Sequence, residues 1–418
     1  MFRGLVFRGL VFRGLVFRGL VFRGLVFRGL VFRGLAFRGL AFRWFAFRWF
    51  ALRPMALWLS PSDLRPKGNL MKLRALGMVA LVALAGCDSA PSEAAPAISC
   101  AAGKIAGQGS SAQANAVSAW IRNYQVSCAD ATVEYASVGS GAGLDAFIAG
   151  TGDFAGTDSA LSAENQPKAN ARCGSGPAIH LPMVVGPIAL AYNVAGVGDL
   201  RLAPDTIARI FNGRITAWND PEIIRDNPGA VLPATPIRTV HRSDNSGTTD
   251  NFTKFLAARA AADWPHGSGS AWKAPGGSAQ KGSNRVVSTI ERSDGAIGYV
   301  EASYARFHNL PIASVGNAAG TLVPLSDEAA GSMVADAKIT GTGGDLKLAI
   351  DYATTSAGAY PLVLVTYEVV CKTGTPDLVK SFLTYASSTA GQQAATRLGY
   401  APLPDKLRDQ VAAAVETL

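Results

Sequence analysis

Residues 132–161 read TVEYASVGSGAGLDAFIAGTGDFAGTDSAL. The alternating segment 132–138 is a strand candidate, and a glycine–serine turn separates it from a helix candidate at 141–149. A strand that passes through a tight turn into a helix is the repeating unit of α/β proteins. These residues therefore predict an α/β fold built from such units.

The same alternation of short apolar runs and helical patterns extends to the C-terminus. Further strands are predicted at residues 183–193, 237–241, 297–300 and 362–370. Further helices are predicted at residues 111–126, 204–212, 248–262, 376–387 and 405–417. The Gly/Ser-rich stretch 267–284 is predicted to be a surface loop.

The first part of the chain does not resemble a folded domain. Residues 2–51 are ten tandem five-residue repeats, FRGLV changing to FRGLA and then to FRWFA. A period of five matches neither a helix face nor strand alternation, and it is far shorter than a solenoid repeat. We interpret residues 1–70 as a DNA repeat translated upstream of the true start, disordered if it is made. A basic, apolar membrane-binding tail is the alternative.

A lipoprotein signal peptide is predicted to follow at residues 71–86. It has a positive start, MKLR (71–74), and an apolar core of 11 residues (75–85), too short to span a bilayer. The ending LAGC (84–87) resembles a bacterial lipobox, which predicts cleavage before Cys87 and lipid attachment to its sulfur. Residues 87–99, rich in Ala, Pro and Ser, are then expected to form a tether.

The formal net charge of +9 suggests a nucleic acid or an anionic membrane as partner, but the location of the charge argues otherwise. Without residues 1–70 the chain holds 26 basic and 29 acidic residues, and without residues 71–86 as well its net charge is −5. The globular part is therefore mildly acidic, and no nucleic-acid partner is predicted. An anion bound there must be held by local dipoles and one or two well-placed cations.

Four cysteines remain besides Cys87, an even number that favours disulfides in an exported chain. Of the three connectivities that four cysteines allow, we favour Cys100–Cys128, which joins the first strand to the end of the first helix, together with Cys173–Cys371. The sequence has no Cys-x-x-Cys motif and no Cys/His cluster, so neither a metal site nor a cofactor is predicted.

Three glycine–serine turns precede predicted helices: GQGSS at 107–111, GSGAG at 139–143 and SGTT at 246–249. The free N–H groups and the dipole at a helix N-terminus favour an anion, and glycine lets the backbone approach it closely. A single turn of this kind is ordinary helix capping. Three in one chain, the last of them close to the planar donor fork of Arg242, indicate an anion site. Asp244 is placed to hold that guanidinium group.

Six segments resemble the phosphate-binding protein family of the bacterial phosphate ABC transporter, often called PstS. They are GQGSSAQ, YASVGSGAGLDAFIAGTGDFAGTDSAL, IFNGRITAWNDPEI, VHRSDNSGTTDNFTKFL, GAIGYVEASYA and LGYAPLP, in that order. The resemblance implies an α/β, two-lobed, periplasmic-binding-protein-like (type II) hinged clamp, each lobe a mixed sheet flanked by helices. We expect residues 100–185 and 328–418 to form lobe I and residues 186–327 to form lobe II, with phosphate in the cleft between them.

The resemblance also assigns roles to individual residues. Asp158 stands where the family's carboxylate accepts the phosphate proton, and this favours phosphate over sulfate because an ionised carboxylate can only accept hydrogen bonds. Arg242 stands where an arginine pairs with the anion, and Asp244 where an acid orients that arginine. The other implied contacts are hydroxyls and backbone N–H groups of the three turns, namely Ser111, Ala112, Ser140, Ser246, Gly247 and Thr248. Ala112 replaces a larger residue of the family, so only its backbone is expected to take part.

The predicted function is capture of inorganic phosphate outside the cytoplasmic membrane and its delivery to the permease subunits of an ABC transporter. The chain is expected to be a monomeric, lipid-anchored binding protein of the lipoprotein branch and not an enzyme. One alternative is a serine hydrolase or phosphatase with Ser140 or Ser246 as nucleophile, but GSGAG differs from the G-x-S-x-G elbow and no His–Asp pair is evident. Another is a binder of sulfate or molybdate, which Asp158 disfavours.

Overall fold

Strands and helices alternate along the part of the chain that the computed structural model describes, residues 98–335 and 337–418. The strands are β1 Gly103–Gly109, β2 Ala131–Ser137, β3 Phe154–Thr157, β4 Ala178–Asn193, β5 Arg201–Leu202, β6 Arg238–Arg242, β7 Ser278–Gln280, β8 Ala296–Glu301, β9 Ser314–Gly316, β10 Leu322–Val323, β11 Lys338–Ile339, β12 Leu348–Ala349 and β13 Val363–Cys371. The helices are α1 Ala114–Ser127, α2 Ser140–Ile148, α3 Asn165–Cys173, α4 Pro204–Phe211, α5 Pro221–Asp226, α6 Gly247–Arg259, α7 Gly282–Glu291, α8 Ala302–Phe307, α9 Asp327–Val334, α10 Asp377–Ser387, α11 Thr389–Thr396 and α12 Asp405–Glu416.

A mixed sheet of eight strands runs through the fold in the order β2-β1-β3-β13-β4-β8-β6-β7. On one side β1 pairs in parallel with β2 and β3, and on the other β6 pairs in parallel with β7 and β8. The antiparallel strands β13 and β4 join these two parallel groups. Two small sheets, β10-β9-β5 and β11-β12, lie outside it.

Strand β4 is shared by both halves of this sheet. All but the last of its 16 residues are buried, as are all residues of β13, which is expected of strands covered on both faces. Strand β4 pairs with β13 as far as Pro187 and with β8 from Ile188 onward. The predicted lobe boundary between residues 185 and 186 therefore lies within this strand, close to the point where its partner changes.

Most predicted elements are present, with ends shifted by a few residues. The first helix begins at Ala114 rather than at residue 111, because residues 111–113 form the turn that leads into it. The surface loop predicted at residues 267–284 is wrong in part, since it contains β7 and the beginning of α7. The three residues of β7 extend the sheet beside β6, and backbone pairing of this kind does not need apolar side chains.

Both predicted disulfides are confirmed. Cys100–Cys128 joins the residues before β1 to the end of α1, and Cys173–Cys371 joins the end of α3 to the end of β13. The predictions for residues 1–70, for the signal peptide at 71–86, for Cys87 and for the tether as far as residue 97 lie outside the described residues. Among the residues described, no helix is both long and apolar enough to cross a bilayer.

Candidate functional site

The three predicted turns meet at the carboxyl ends of parallel strands, where open α/β sheets bind their ligands. The N–H of Gly139 donates to the carbonyl oxygen of Gly109 at 2.8 Å, which places the second turn against the first. The hydroxyl oxygen of Ser140 accepts the N–H of Gly247 at 3.2 Å, which joins the second turn to the third. The N-termini of α1, α2 and α6 are thereby collected in one place.

Asp158 follows β3 and lies among these turns, with 3% of its surface exposed. One carboxylate oxygen accepts the Thr366 hydroxyl at 3.0 Å, and the other has the Ser140 and Thr248 hydroxyls at 3.5 Å. Burial raises the pKa of Asp158, whereas hydrogen bonds from hydroxyl groups and the charge of Arg242 oppose that rise. The carboxylate is thus surrounded by hydroxyls close to a cation, an environment that supports its role as a hydrogen-bond acceptor.

Arg242 ends β6 and is also buried, with 2% of its surface exposed. Its Nε and Nη2 atoms donate to the two carboxylate oxygens of Asp244 at 2.8 and 2.5 Å, a bidentate pair. Burial alone raises the pKa of Asp244, but the hydrogen bonds and charge of Arg242 outweigh it and hold the pKa below its usual value. The N–H of Gly282 donates to the same carboxylate at 3.2 Å. Because the pair uses two of about five guanidinium donors, the others are available to an oxyanion.

The first turn, which the structure places at residues 110–113, is held by three tyrosines, of which two are buried and Tyr135 is half-buried. Tyr135 donates to the Ser110 carbonyl oxygen at 2.9 Å, Tyr304 to that of Ser111 at 2.7 Å, and Tyr400 to that of Ala112 at 2.6 Å. In a trans peptide the C=O and N–H groups point in opposite directions, so the N–H groups that follow these carbonyls point away from the tyrosines. Burial raises the pKa of all three hydroxyls, which keeps their protons available for donation.

A fourth helix N-terminus reaches the same place. The hydroxyl of Ser283, at the start of α7, lies 2.9 Å from the hydroxyl of Ser111, which also accepts the Ser283 N–H at 3.2 Å. Ser283 is not predicted as a site residue from the sequence, because it lies in the stretch predicted to be a loop. The pair Gly282-Ser283 after a short strand is the signal that reveals it.

Two predicted turn residues have structural partners of their own. The Ser246 hydroxyl accepts the N–H of Thr249 at 3.3 Å and so caps α6. The N–H of Ala112 donates to the Ser110 hydroxyl at 2.9 Å. Both residues are buried, and of the other predicted residues Ser140, Gly247 and Thr248 lie next to Asp158, whereas Ser111 contacts Ser283.

The match to known proteins covers most of the chain. The family model of the PBP superfamily domain matches residues 94–389. Phosphate-binding protein PstS2 of Mycobacterium bovis is 39% identical over 367 residues, covering 84% of this chain and 98% of that protein. Phosphate-binding protein PstS of Xylella fastidiosa is 34% identical over 319 residues, covering 74% of this chain and 84% of that protein. The chain belongs to the PstS family.

Solved structures confirm the predicted fold of this PstS-family protein. A high affinity periplasmic phosphate-binding protein (PfluDING), bound with phosphate, aligns with a TM-score of 0.60 at 23% identity, covering 74% of this chain and 93% of that one. A phosphate ABC transporter substrate-binding protein of Clostridium perfringens, with bound phosphate, aligns with a TM-score of 0.54 at 19% identity. The alignment covers 72% of this chain and 100% of that one. The fold is the α/β fold of two-lobed type II periplasmic binding proteins.

The histidines of this PstS-family protein give no support to the hydrolase alternative. A serine nucleophile needs a base within hydrogen-bonding distance. His180 bonds the Leu161 N–H and Asp345, and His241 bonds backbone oxygens; neither bonds Ser140 or Ser246. Within residues 98–335 and 337–418 there is also no cluster of three side chains suited to a metal ion.

Proposed function

We propose that this protein captures inorganic phosphate at the site formed by the turns, Asp158 and Arg242, and delivers it to the permease of a phosphate ABC transporter. One observation carries the proposal: the buried Arg242, in a bidentate pair with the half-buried Asp244, stands next to the buried carboxylate of Asp158, where several helix N-termini converge. The cation and the N–H groups attract an oxyanion. The carboxylate Asp158 accepts a proton from it, which phosphate carries near neutral pH and sulfate does not.

The surrounding hydroxyls and N–H groups are assigned to the remaining phosphate oxygens. Ser111, Ser140 and Thr248 contribute hydroxyls from the turns, and Ser283 joins them from α7. The N–H groups of Ala112 and Gly247, which donate to the Ser110 and Ser140 hydroxyls in the structure, are assigned to the anion when it binds. Ser246 holds the third turn by capping α6. No catalytic step, metal or cofactor is assigned, and the protein acts as a monomer with the permease as its protein partner.

The lipid anchor is part of the proposal. Both disulfides fit an oxidising compartment outside the cytoplasm, where the curated relatives' family acts. Attachment through Cys87 keeps such a protein at the membrane that contains the permease. Mass spectrometry of the protein isolated from its cells tests this: we expect an acylated Cys87 as the first residue. Peptides from residues 2–51 would contradict both the anchor and the assigned start.

Calorimetric titration of the purified protein with phosphate, arsenate, sulfate and molybdate tests the binding function. We expect tight binding of phosphate, competition by arsenate because it also carries a proton, and binding of sulfate weaker by at least about 100-fold, as when a buried polar group is left unpaired. Equal affinity for sulfate would refute the selectivity, and preference for molybdate or sulfate would replace phosphate as the ligand. Absence of phosphate binding would refute the function.

A further inference from the structure

Thr366 is a fully buried residue of β13 that is assigned no phosphate oxygen in the binding scheme above. β13 pairs with β3 in an antiparallel register that sets Tyr367 opposite Thr157. One step further along both strands, this register sets Thr366 opposite Asp158. Residues opposite each other on neighbouring strands have their side chains close together on one face of the sheet. The sheet therefore brings a hydroxyl group to the carboxylate on which oxyanion discrimination is proposed to depend.

The contact between the two side chains is a hydrogen bond in a buried environment. The Thr366 hydroxyl donates to the Oδ1 atom of Asp158 at 3.0 Å, and 0% and 3% of the two residues' surfaces are exposed. A hydrogen bond to a charged group contributes more than one between neutral groups, and a buried acceptor that loses its donor bears the cost of desolvation. Removal of the Thr366 hydroxyl therefore acts directly on the Asp158 carboxylate.

The two oxygens of Asp158 have different surroundings. Oδ2 lies 3.5 Å from the hydroxyls of Ser140 and Thr248, and a Cβ atom added at Gly247 would lie 2.8 Å from it. The second and third turns therefore surround Oδ2, whereas Oδ1 is bonded to β13. The hydroxyls of Ser140 and Thr248 are assigned to the anion, so we expect them to turn toward it when it binds. Thr366 then keeps its bond to Oδ1, and Oδ2 is left to accept the phosphate proton.

We propose that Thr366 is a positioning residue that determines specificity, because its hydroxyl holds Oδ1 of Asp158 and leaves Oδ2 as an acceptor facing the anion. The proposal rests on the function assigned above, and it adds a residue that acts through Asp158 without contacting phosphate. An ionised carboxylate only accepts hydrogen bonds, whereas a protonated carboxyl group also donates one. Without the Thr366 hydroxyl the buried Asp158 gains a proton more readily, and an anion without a proton, such as sulfate, becomes acceptable.

The charged and titratable groups that face Asp158 come from four strands and helices. They are Arg242 of β6, Glu368 of β13, Tyr135 of β2 and Tyr304 of α8. Burial raises the pKa of Asp158, and hydrogen bonds from Ser110 and then from Thr366 oppose the rise. Burial raises the pKa of Glu368 to about 8 and those of both tyrosines above their usual value. These three groups therefore keep their protons between pH 5 and pH 6.5, and a pH effect in that range that depends on Thr366 reports on Asp158.

Calorimetric titration of the full chain with phosphate and with sulfate, at pH 5 and pH 6.5, tests the proposal in Thr366→Val. Valine keeps the branched shape and removes the hydroxyl. We expect the preference for phosphate over sulfate to fall by at least about 10-fold, the effect of a hydrogen bond to a charged group, and to fall further at pH 5 than at pH 6.5. Thr366→Ser keeps the hydroxyl and should keep most of the preference. A Thr366→Val protein that loses affinity equally for both anions at both pH values overturns the proposal, because a packing defect gives that result.

Two further variants show whether Thr366 acts through Asp158. Thr206→Val makes the same change at a buried threonine of α4, whose hydroxyl accepts from Arg225 at 3.2 Å, and it should leave the preference unchanged. Thr366→Val added to Asp158→Asn should have the same preference as Asp158→Asn alone, because no carboxylate is left for the hydroxyl to hold. A further fall in preference in the double variant overturns the positioning role, since Thr366 would then act on the anion by another route.

Carbon NMR of ligand-free protein with labelled aspartate carboxyl groups tests the same contact without phosphate. The Asp158 signal is the one that Asp158→Asn lacks. We expect it to titrate at a higher pH in Thr366→Val than in the unmodified protein, Thr366→Ser and Thr206→Val. An unchanged titration in Thr366→Val refutes the effect of the hydroxyl on the carboxylate, even if phosphate binds. If the titration moves but the unmodified protein binds no phosphate, the proposed function fails and the specificity role fails with it, while the contact between Thr366 and Asp158 stands.

Discussion

Asp158 is the residue on which discrimination between oxyanions depends in the proposed site. Asp158→Asn replaces an acceptor with a group that also donates, so an anion without a proton becomes acceptable. We expect the preference for phosphate over sulfate to fall by at least about 10-fold, in calorimetric titrations with both anions. Asp145→Asn, the same change on an exposed position of α2, is the control and should leave the preference unchanged. An unaltered preference in Asp158→Asn would remove the proton-acceptor role.

In the proposed site, Arg242 supplies the positive charge. Arg242→Ala removes the charge-assisted contact proposed for the anion, and it also leaves the half-buried Asp244 without its arginine partner. We expect phosphate affinity to fall by about 10- to 100-fold or more, and Arg242→Lys to recover only part of it because Lys lacks the fork. Arg238→Ala, at the exposed start of the same strand, should bind like the unmodified protein. A dissociation constant unchanged in Arg242→Ala would place the anion elsewhere.

At the scale of elements, the close approach of α6 to Asp158 depends on Gly247. A Cβ atom at this position would lie 2.5 Å from the Cβ of Asp158 and 2.8 Å from the Ser140 hydroxyl oxygen. Gly247→Ala must therefore push the helix N-terminus away from the site, and we expect phosphate affinity to fall by at least about 10-fold, since small displacements cost much binding. Gly331→Ala in α9, where an added Cβ meets nothing within 4 Å, is the matched control. It should keep the affinity and raise the free energy of unfolding slightly.

Some elements of the fold could be predicted from the sequence and others could not. The helices and strands that the sequence predicts lie within a few residues of those observed, because their periodicity reflects burial directly. The strand β7 escaped prediction because three small polar residues carry no periodic signal, and Ser283 was missed with it. The hydroxyl donors Tyr135, Tyr304 and Tyr400 lie far apart in the chain and meet only through the fold. Residues within the turns could be assigned from motifs, whereas the tyrosines that hydrogen-bond to the first turn could not.

At the scale of the whole molecule, buried carboxyl groups make stability depend on pH in a definite direction. Burial raises the pKa values of Glu301 and Glu368 to about 8 each, and it also raises that of Asp158. Such groups hold more protons in the folded chain than in the unfolded one, so the free energy of unfolding falls as pH rises toward 8. Asp244 and Asp345 have lowered pKa values, and the stability they contribute is lost only in acid, as pH falls below about 4.

We therefore expect the protein to be more stable at pH 6 than at pH 8. The free energy of unfolding should fall by about 2 kcal/mol for each of Glu301 and Glu368 over this interval, because each pKa unit corresponds to 1.36 kcal/mol. Urea unfolding of the full chain with its disulfides intact, in phosphate-free buffer, measures this. The Glu301→Gln, Glu368→Gln double variant should show a flatter profile, because both titrating groups are gone. Stability that rises between pH 6 and pH 8 would mean that these carboxyls are already ionised in the folded protein at pH 6.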